Sequence, residues 1–67
     1  MPVVKVIELV GQSQHSWEDA VRSAVAEAAK TVRHITGVEV KNWTGEVKDN
    51  TIQTYRADVH VAFVVES

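Results

Sequence analysis

The chain has 67 residues, no cysteine and a formal net charge of −2 at pH 7. A domain of this size buries only about 60% of its unfolded surface, so its own core leaves it marginally stable. The missing cysteines exclude disulfides and thiolate metal sites, and the weakly acidic composition argues against a nucleic-acid partner.

Either a structural metal or self-association must therefore supply the additional stability. The three histidines, His15, His34 and His60, lack the paired spacing of a structural zinc site, so we expect a homo-oligomer. No apolar run approaches the roughly 20 residues of a membrane span, and residues 1–9 lack the layout of a signal peptide. We therefore expect a cytoplasmic protein without a membrane partner.

The first half of the chain predicts a strand followed by a helix. Residues 3–10 are mostly β-branched and apolar, and Gly11 is expected to end this strand. Residues 12–15 are expected to form a loop before Ser16, which is a good helix N-cap. We expect a helix of about 17 residues, closed by Arg33 and His34, with Gly37 as the helix stop. Its apolar stripe, at spacings of three and four, consists of Trp17, Ala20, Val21, Ala24, Val25, Ala28, Val32 and Ile35. The alanines would let a sheet approach the helix closely. Its predicted ion pairs are Glu18 with Arg22 and Glu27 with Lys30.

The second half predicts a long β-hairpin. Residues 38–43 alternate apolar with polar until the pattern slips, which predicts a bulge near Thr44 and Gly45. Asp49 and Asn50 suit a two-residue turn because both tolerate positive φ. The core face of the third strand consists of Tyr55, Ala57, Val59, Val61, Phe63 and Val65. The resulting β-α-β-β order places residues 1–67 in one domain, with a hairpin that overhangs the helix.

No motif for a nucleophile, a phosphate loop or a metal protease is present, so we expect no enzyme. Arg56, Asp58 and His60 share one side of the third strand, where they could bind an anion, a metal or a ring edge. The alternative, which we favour, is a cross-strand salt link with Glu39 or Lys41.

The start of the helix offers a second candidate site. His15, Glu18 and Asp19 could bind a cation, although such acids more commonly serve the helix N-terminus. Trp17 is expected to pack as part of the apolar stripe. Strand alternation directs Trp43 away from the helix unless the bulge intervenes, so its ring would meet another subunit or a planar ligand.

Four segments taken in order resemble the dodecin family. They are Val6-Ile7-Glu8-Leu9-Val10-Gly11-Gln12-Ser13, the alanine-rich helix, Val38-Glu39-Val40, and Tyr55-Arg56-Ala57-Asp58-Val59-His60-Val61-Ala62-Phe63. The resemblance implies an α+β fold in which a three-stranded antiparallel sheet wraps around one helix. It also implies a shell of twelve identical subunits that stores flavins, FMN or riboflavin, in pairs at contacts between subunits.

The resemblance also indicates where the flavin pocket lies, and this sequence differs from the family at three positions of that pocket. The ring-stacking tryptophan of the family falls on Gly37, the glutamine that holds the ring edge on Arg56, and the arginine late in strand two on Thr44. A branch without this tryptophan looks similar around Ser16-Trp17-Glu18, and one of its members is associated with calcium.

Three hypotheses follow. The first is a homododecameric storage protein for a planar cofactor, with Gly37, Thr44 and Arg56 at the inherited pocket and Trp43 as an aromatic contact. The second is a cation-binding, calcium-binding or purely structural shell. Its candidate ligands are Glu18, Asp19, Asp58 and His60. The third is an interaction module that presents its helix face to a partner protein.

Overall fold

A computed structural model describes residues 2–65 as four elements. They are β1 (Val3–Ser13), α1 (Trp17–Ala28), β2 (Ile35–Lys48) and β3 (Thr51–Val65). The strands form one antiparallel sheet in the order β1-β3-β2, which confirms the predicted α+β, β-α-β-β fold. No helix within residues 2–65 is long and apolar enough to cross a membrane.

The helix packs on the sheet through small side chains. Ala20, Ala24 and Ala28 recur every four residues and are buried against β1 and β3. A Cβ atom at Gly11 of β1 would overlap the carbonyl oxygen of Ala20, so only glycine permits this close approach. The partners of the alanines on β3 are Ala57, Val59 and Val61, which confirms the predicted core face of that strand.

The helix is shorter than the sequence predicts. It has 12 residues and ends at Ala28, whereas Arg33 and His34 were predicted to close it. The carbonyl of Ala28 accepts hydrogen bonds from the amides of Thr31 and Val32, so a tight turn replaces the next helical turn. β-Branched side chains at those two positions favour helix less than the alanines before them.

The connection to β2 corrects a second prediction. His34 has φ 61, a left-handed conformation, and the chain is extended again from Ile35 onwards. Gly37 lies inside β2 and is not among the residues with positive φ, so its predicted role as the helix stop is wrong. Positive φ is uncommon outside glycine, but histidine is one of the residue types in which it occurs more often, so the chain can turn at His34.

The predicted bulge near Thr44 and Gly45 is not at that position, because the register shifts on either side of it. β2 shifts against β3 between Ile35 and Gly37, between Val40 and Asn42, and between Glu46 and Val47. The second shift makes Lys41 an extra residue. Trp43 consequently lies opposite Ala57, on the side of the sheet that faces α1. The bulge therefore does intervene before Trp43, and the Trp43 ring lies on the same side of the sheet as the helix. At the tip of the hairpin, Asp49 and Asn50 both have positive φ, which confirms the predicted turn.

One of the two predicted ion pairs on the helix is present. Lys30 Nζ lies 2.8 Å from Glu27 Oε2, and this hydrogen bond and charge raise the pKa of Lys30. Both side chains are largely exposed, so the pair adds little stability. Glu18 and Arg22 form no ion pair with each other within residues 2–65.

The hairpin extends well beyond the helix, as predicted. The molecule is 52 Å long, whereas a 12-residue helix spans about 18 Å. Large apolar side chains consequently remain exposed on the strands: Val3, Val4, Val6, Val10, Val38, Trp43, Val47 and Ile52. One subunit therefore leaves much of its sheet without cover.

Candidate functional site

The helix covers only one face of the sheet, which we call the inner face, and the opposite face is the outer face. Residues of the outer face form rows across β1, β3 and β2. The rows are Val6-Ala62-Gly37, Glu8-His60-Glu39, Val10-Asp58-Asn42 and Gln12-Arg56-Thr44. The three predicted flavin-pocket residues, Gly37, Thr44 and Arg56, therefore all lie on the outer face.

A shallow groove of about 210 Å³ lies beside Gly37 on this face. A Cβ atom built at Gly37 would meet no heavy atom within 4 Å, so the surface there is open to a ligand or to another subunit. The groove is lined by Val6, Gly37, Val38, Glu39, His60 and Ala62. It combines an apolar floor with a carboxylate and an imidazole at its edge.

At the other end of the outer face, the guanidinium of Arg56 is hydrogen-bonded to residues of both neighbouring strands. Its Nε donates to Gln12 Oε1 at 2.9 Å, and its Nη2 donates to Glu46 Oε2 at 3.4 Å. Thr44 is the cross-strand partner of Arg56. Arginine carries five N–H donors, so some of them stay available to a ligand. The roles of Gln12 and Glu46 were missed because they depend on the pairing register of all three strands.

One subunit does not bring these pocket residues together. Gly37 is opposite Ala62, and Thr44 is opposite Arg56, six positions away along β3. Six residues of a strand span about 20 Å, which is too far for one ring system to contact both ends. A ring system in contact with both a Gly37 and an Arg56 would therefore have to take them from two different subunits.

The middle rows of the outer face carry charged groups. His60 Nε2 lies 3.7 Å from Glu8 Oε2, so the cross-strand link of His60 is made with β1. The prediction placed this link on Glu39 or Lys41, but Lys41 is the bulged residue of β2. Asp58 Oδ1 is buried and has no hydrogen-bond partner among residues 2–65, which leaves one carboxylate oxygen available to a partner or ligand.

The predicted cation ligands are divided between the two faces of the sheet. Asp58 and His60 lie on the outer face, whereas Glu18 and Asp19 begin α1. Asp19 Oδ2 accepts a hydrogen bond from Ser13 Oγ at 2.7 Å, and the amide of Asp19 donates to the N-cap hydroxyl at 3.0 Å. Within residues 2–65, no three histidine or carboxylate side chains come close enough to hold a metal ion.

The two tryptophans lie on the inner face. The Trp17 ring packs edge-on against the Tyr55 ring, with the two ring centroids 4.8 Å apart. Trp17 Nε1 also donates a hydrogen bond to the Thr44 carbonyl at 2.8 Å. These contacts confirm the structural role predicted for Trp17. Trp43 borders a separate groove of about 220 Å³ between α1 and β2. That groove is lined by Glu18, Val21, Arg22, Val40 and Trp43. Because it lies on the opposite side of the sheet, Trp43 does not line the groove beside Gly37.

Residues 3–66 match the family model described as Dodecin. A dodecin of Thermus thermophilus is 38% identical over 64 residues, which cover 96% of this chain and 93% of that protein. The chain belongs to the dodecin family. Membership confirms the resemblance seen in the sequence, and dodecins are small dodecameric binding proteins.

Solved structures extend the dodecin comparison. A Thermus thermophilus crystal structure superposes with a TM-score of 0.96 at 36% identity, covering 100% of this chain and 98% of that chain. A calcium-chelating antigen of Mycobacterium tuberculosis, a calcium dodecin with a novel calcium-binding site, gives a TM-score of 0.82 at 35% identity. That comparison covers 96% of this chain and 91% of the antigen.

Proposed function

We propose that this dodecin is a non-enzymatic storage protein that assembles as a homododecamer and binds FMN or riboflavin between subunits. The observation that carries the proposal is the open groove beside Gly37 on the outer face. Gly37 is the residue on which the resemblance places the family's ring-stacking tryptophan, and the apolar floor of the groove suits a planar aromatic ligand.

The size of the groove supports a site shared by two subunits. Small-molecule pockets usually enclose about 300–1,000 Å³, whereas this groove measures about 210 Å³. Two such grooves, joined at a contact between outer faces, reach the usual size. The exposed valines beside the groove, Val4 and Val6, would be buried by the same contact.

The second subunit supplies the polar end of the proposed site. Arg56 is held in place by Gln12 and Glu46, so little conformational freedom is lost when it donates to a ligand. Its remaining N–H donors complement the carbonyl oxygens of the flavin ring and the phosphate of FMN. We expect FMN to bind more tightly than riboflavin if the phosphate reaches this guanidinium.

The altered pocket lowers the expected affinity. The four rows of the outer face contain no tryptophan, tyrosine or phenylalanine, so the flavin ring stacks on no such side chain there. Each aromatic stack contributes about 0.5–1.5 kcal/mol, and the loss of two of them around a flavin pair weakens binding roughly tenfold or more. This dodecin would therefore release its flavin readily.

Native mass spectrometry and flavin fluorescence together test the proposal. We expect twelve subunits, and saturable quenching of FMN and riboflavin at micromolar or higher protein concentrations. Arg56→Gln should reduce the preference for FMN, whereas Arg33→Gln, in the exposed connection after α1, should leave it unchanged. A copy number other than twelve contradicts the assembly, and a dodecamer that quenches neither flavin contradicts the ligand.

A cation-binding shell is the second candidate, favoured by the unpartnered Asp58 Oδ1. Calcium takes six to eight oxygen ligands, so such a site would also need residues from two subunits. We expect calorimetric titration with calcium to give heat in the wild type and none in Asp58→Asn. If calcium and magnesium give no heat and no shift in melting temperature, the cation role is excluded and a purely structural shell remains.

A further inference from the structure

A pocket with polar walls lies where β1 ends beside β3. The last residue pair between these strands is Ser13 with Tyr55, and from Thr54 towards the hairpin tip β3 is paired with β2 alone. The chain leaves the sheet there to enter α1, beside a space of about 320 Å³. This space, which we call the polar pocket, is lined by Gln12, Ser13, Gln14 and Thr54.

The side chains that line the polar pocket have unused hydrogen-bonding groups. Gln12 Oε1 accepts from Arg56 Nε, and the amide nitrogen of Gln12 keeps two donors for other partners. Within residues 2–65, the side chains of Gln14 and Thr54 make no hydrogen bond. The Ser13 hydroxyl donates once and accepts twice, so it is saturated and forms only part of the wall. Two amides and one hydroxyl therefore remain for a ligand.

The chemistry of these groups indicates an uncharged ligand that is rich in hydroxyl groups. Amide and hydroxyl side chains both donate and accept hydrogen bonds, and so does each hydroxyl of a polyol. An inorganic anion is better matched by donors with positive charge, and a metal ion by oxygen acceptors alone. No side chain that lines the polar pocket carries a charge. A chain of hydroxyl groups is the ligand that uses both the donors and the acceptors.

Arg56 connects the polar pocket to the proposed flavin site. Its Nε donates to Gln12, which lines the pocket, so a ligand that reaches the guanidinium also lies beside the pocket. Riboflavin and FMN both carry a ribityl chain, which is a short polyol, on the nitrogen of their central ring. We propose that the polar pocket binds this ribityl chain, in the same subunit that supplies Arg56. The inference rests on the proposed flavin function and names the part of the ligand that this chain recognises.

Recognition of the ribityl chain has particular weight in this pocket. The four rows of the outer face provide no aromatic side chain on which the flavin ring could stack. Polar groups that fix orientation and specificity are usually few and placed at one end of a ligand site. Hydrogen bonds to the tail therefore supply selectivity that ring stacking does not provide here.

A comparison of riboflavin with lumiflavin, which has the same ring system but a methyl group in place of the ribityl chain, tests the inference. We expect the assembled protein to bind riboflavin roughly tenfold or more tightly than lumiflavin, because the hydrogen bonds to the tail are lost. Equilibrium dialysis measures both affinities. An assembled protein that binds neither compound overturns the proposed flavin function together with this inference. One that binds lumiflavin as tightly as riboflavin overturns only the inference.

Substitutions in the polar pocket test where the ribityl chain lies. Gln14→Leu and Thr54→Val remove hydrogen-bonding groups and should each lower the affinity for riboflavin roughly threefold or more, with the affinity for lumiflavin unchanged. Gln53→Leu is the matched control, since Gln53 is an exposed residue of β3 that does not line the pocket. The ratio of the two affinities should fall in both pocket variants and stay at the wild-type value in the control. An unchanged ratio in both pocket variants, or an equal fall in Gln53→Leu, overturns the inference.

Discussion

At the scale of single residues, Gly37 has the largest consequence for ligand binding. The residue sits in β2 on the outer face, and an added side chain would project into open space. Glycine is not required there by the backbone, because its φ is not positive. Its effect is therefore on the ligand, through the aromatic surface that it does not provide.

Gly37→Trp should raise the affinity for FMN and riboflavin by roughly tenfold or more, because it restores a ring on which the flavin can stack. The change can be followed by quenching of flavin fluorescence. Val47→Trp is the matched control, since Val47 is an exposed residue of β2 that does not line the groove beside Gly37. An equal gain in the two variants would show that any exposed tryptophan suffices, and no gain in Gly37→Trp would place the flavin elsewhere.

Ser13 organises the start of the helix, and sequence reasoning treated it as loop. Its hydroxyl donates to Asp19 Oδ2 at 2.7 Å and accepts from the amides of His15 and Ser16 at 2.9 and 3.3 Å. Ser13 is 8% exposed, so water has little access to replace its hydroxyl as the hydrogen-bond partner of these groups. The only signal in the sequence was a small polar residue three positions before the N-cap.

Ser13→Ala should lower the free energy of unfolding by about 1–3 kcal/mol, because it leaves buried polar groups without partners. Ser23→Ala on the exposed side of α1 serves as the control and should be neutral or slightly stabilising. Urea denaturation at one fixed subunit concentration compares them. Equal stability of the two variants would contradict the role assigned to Ser13.

At the scale of elements, the contact between α1 and β1 depends on a glycine facing alanines. The alanine repeat was visible in the sequence, and it predicted close approach of the helix to the sheet. The strand residue that the helix approaches was not visible, because Gly11 was interpreted only as the end of the strand. It lies instead inside β1, paired with Ala57.

Gly11→Ala should destabilise the protein by about 1–3 kcal/mol, because the added methyl group overlaps the backbone of α1. Gly45→Ala is a matched control in β2, since a Cβ atom there would come no closer than 3.5 Å to its nearest neighbour. Thermal unfolding at equal subunit concentration distinguishes the two. A tolerated Gly11→Ala would mean that the helix can shift away from the sheet at little cost.

The bulge at Lys41 shows how one residue redirects an element. Strand alternation has a period of two, so one inserted residue exchanges the faces of everything that follows. The slip in the apolar pattern predicted a bulge near Thr44, whereas the register shifts lie before it, at Lys41, and after it, between Glu46 and Val47. The shift at Lys41 puts Trp43 beside the helix and away from the groove next to Gly37.

At the scale of the whole molecule, stability is expected to depend on concentration. The hairpin extends beyond the helix and leaves apolar side chains exposed on both faces of the sheet, including Val6 and Trp43. A hundredfold dilution of a shell that dissociates on unfolding costs about 2.5 kcal/mol per subunit, which corresponds to a fall of roughly 10–20 °C in the midpoint of a small domain. Calorimetry or circular dichroism across that dilution measures it. A midpoint independent of concentration would mean that the single subunit is stable alone.

The sequence by itself determined the order of elements, the N-cap at Ser16, the turn at Asp49 and Asn50, and the dodecin resemblance. These features depend on local propensity and on patterns within one segment, so they can be read without partners. The need for oligomerisation was likewise inferred from chain length and the missing cysteines.

Only the tertiary structure decided where the helix ends, where β2 bulges, and which residues meet across the sheet. The helix ends at Ala28 because the following residues turn back towards β2, which packing rather than periodicity determines. The two hydrogen bonds of the Arg56 guanidinium require the correct pairing register of all three strands, and side chains on neighbouring strands set that register. No single segment of the sequence contains this information, and the proposed flavin site depends on it.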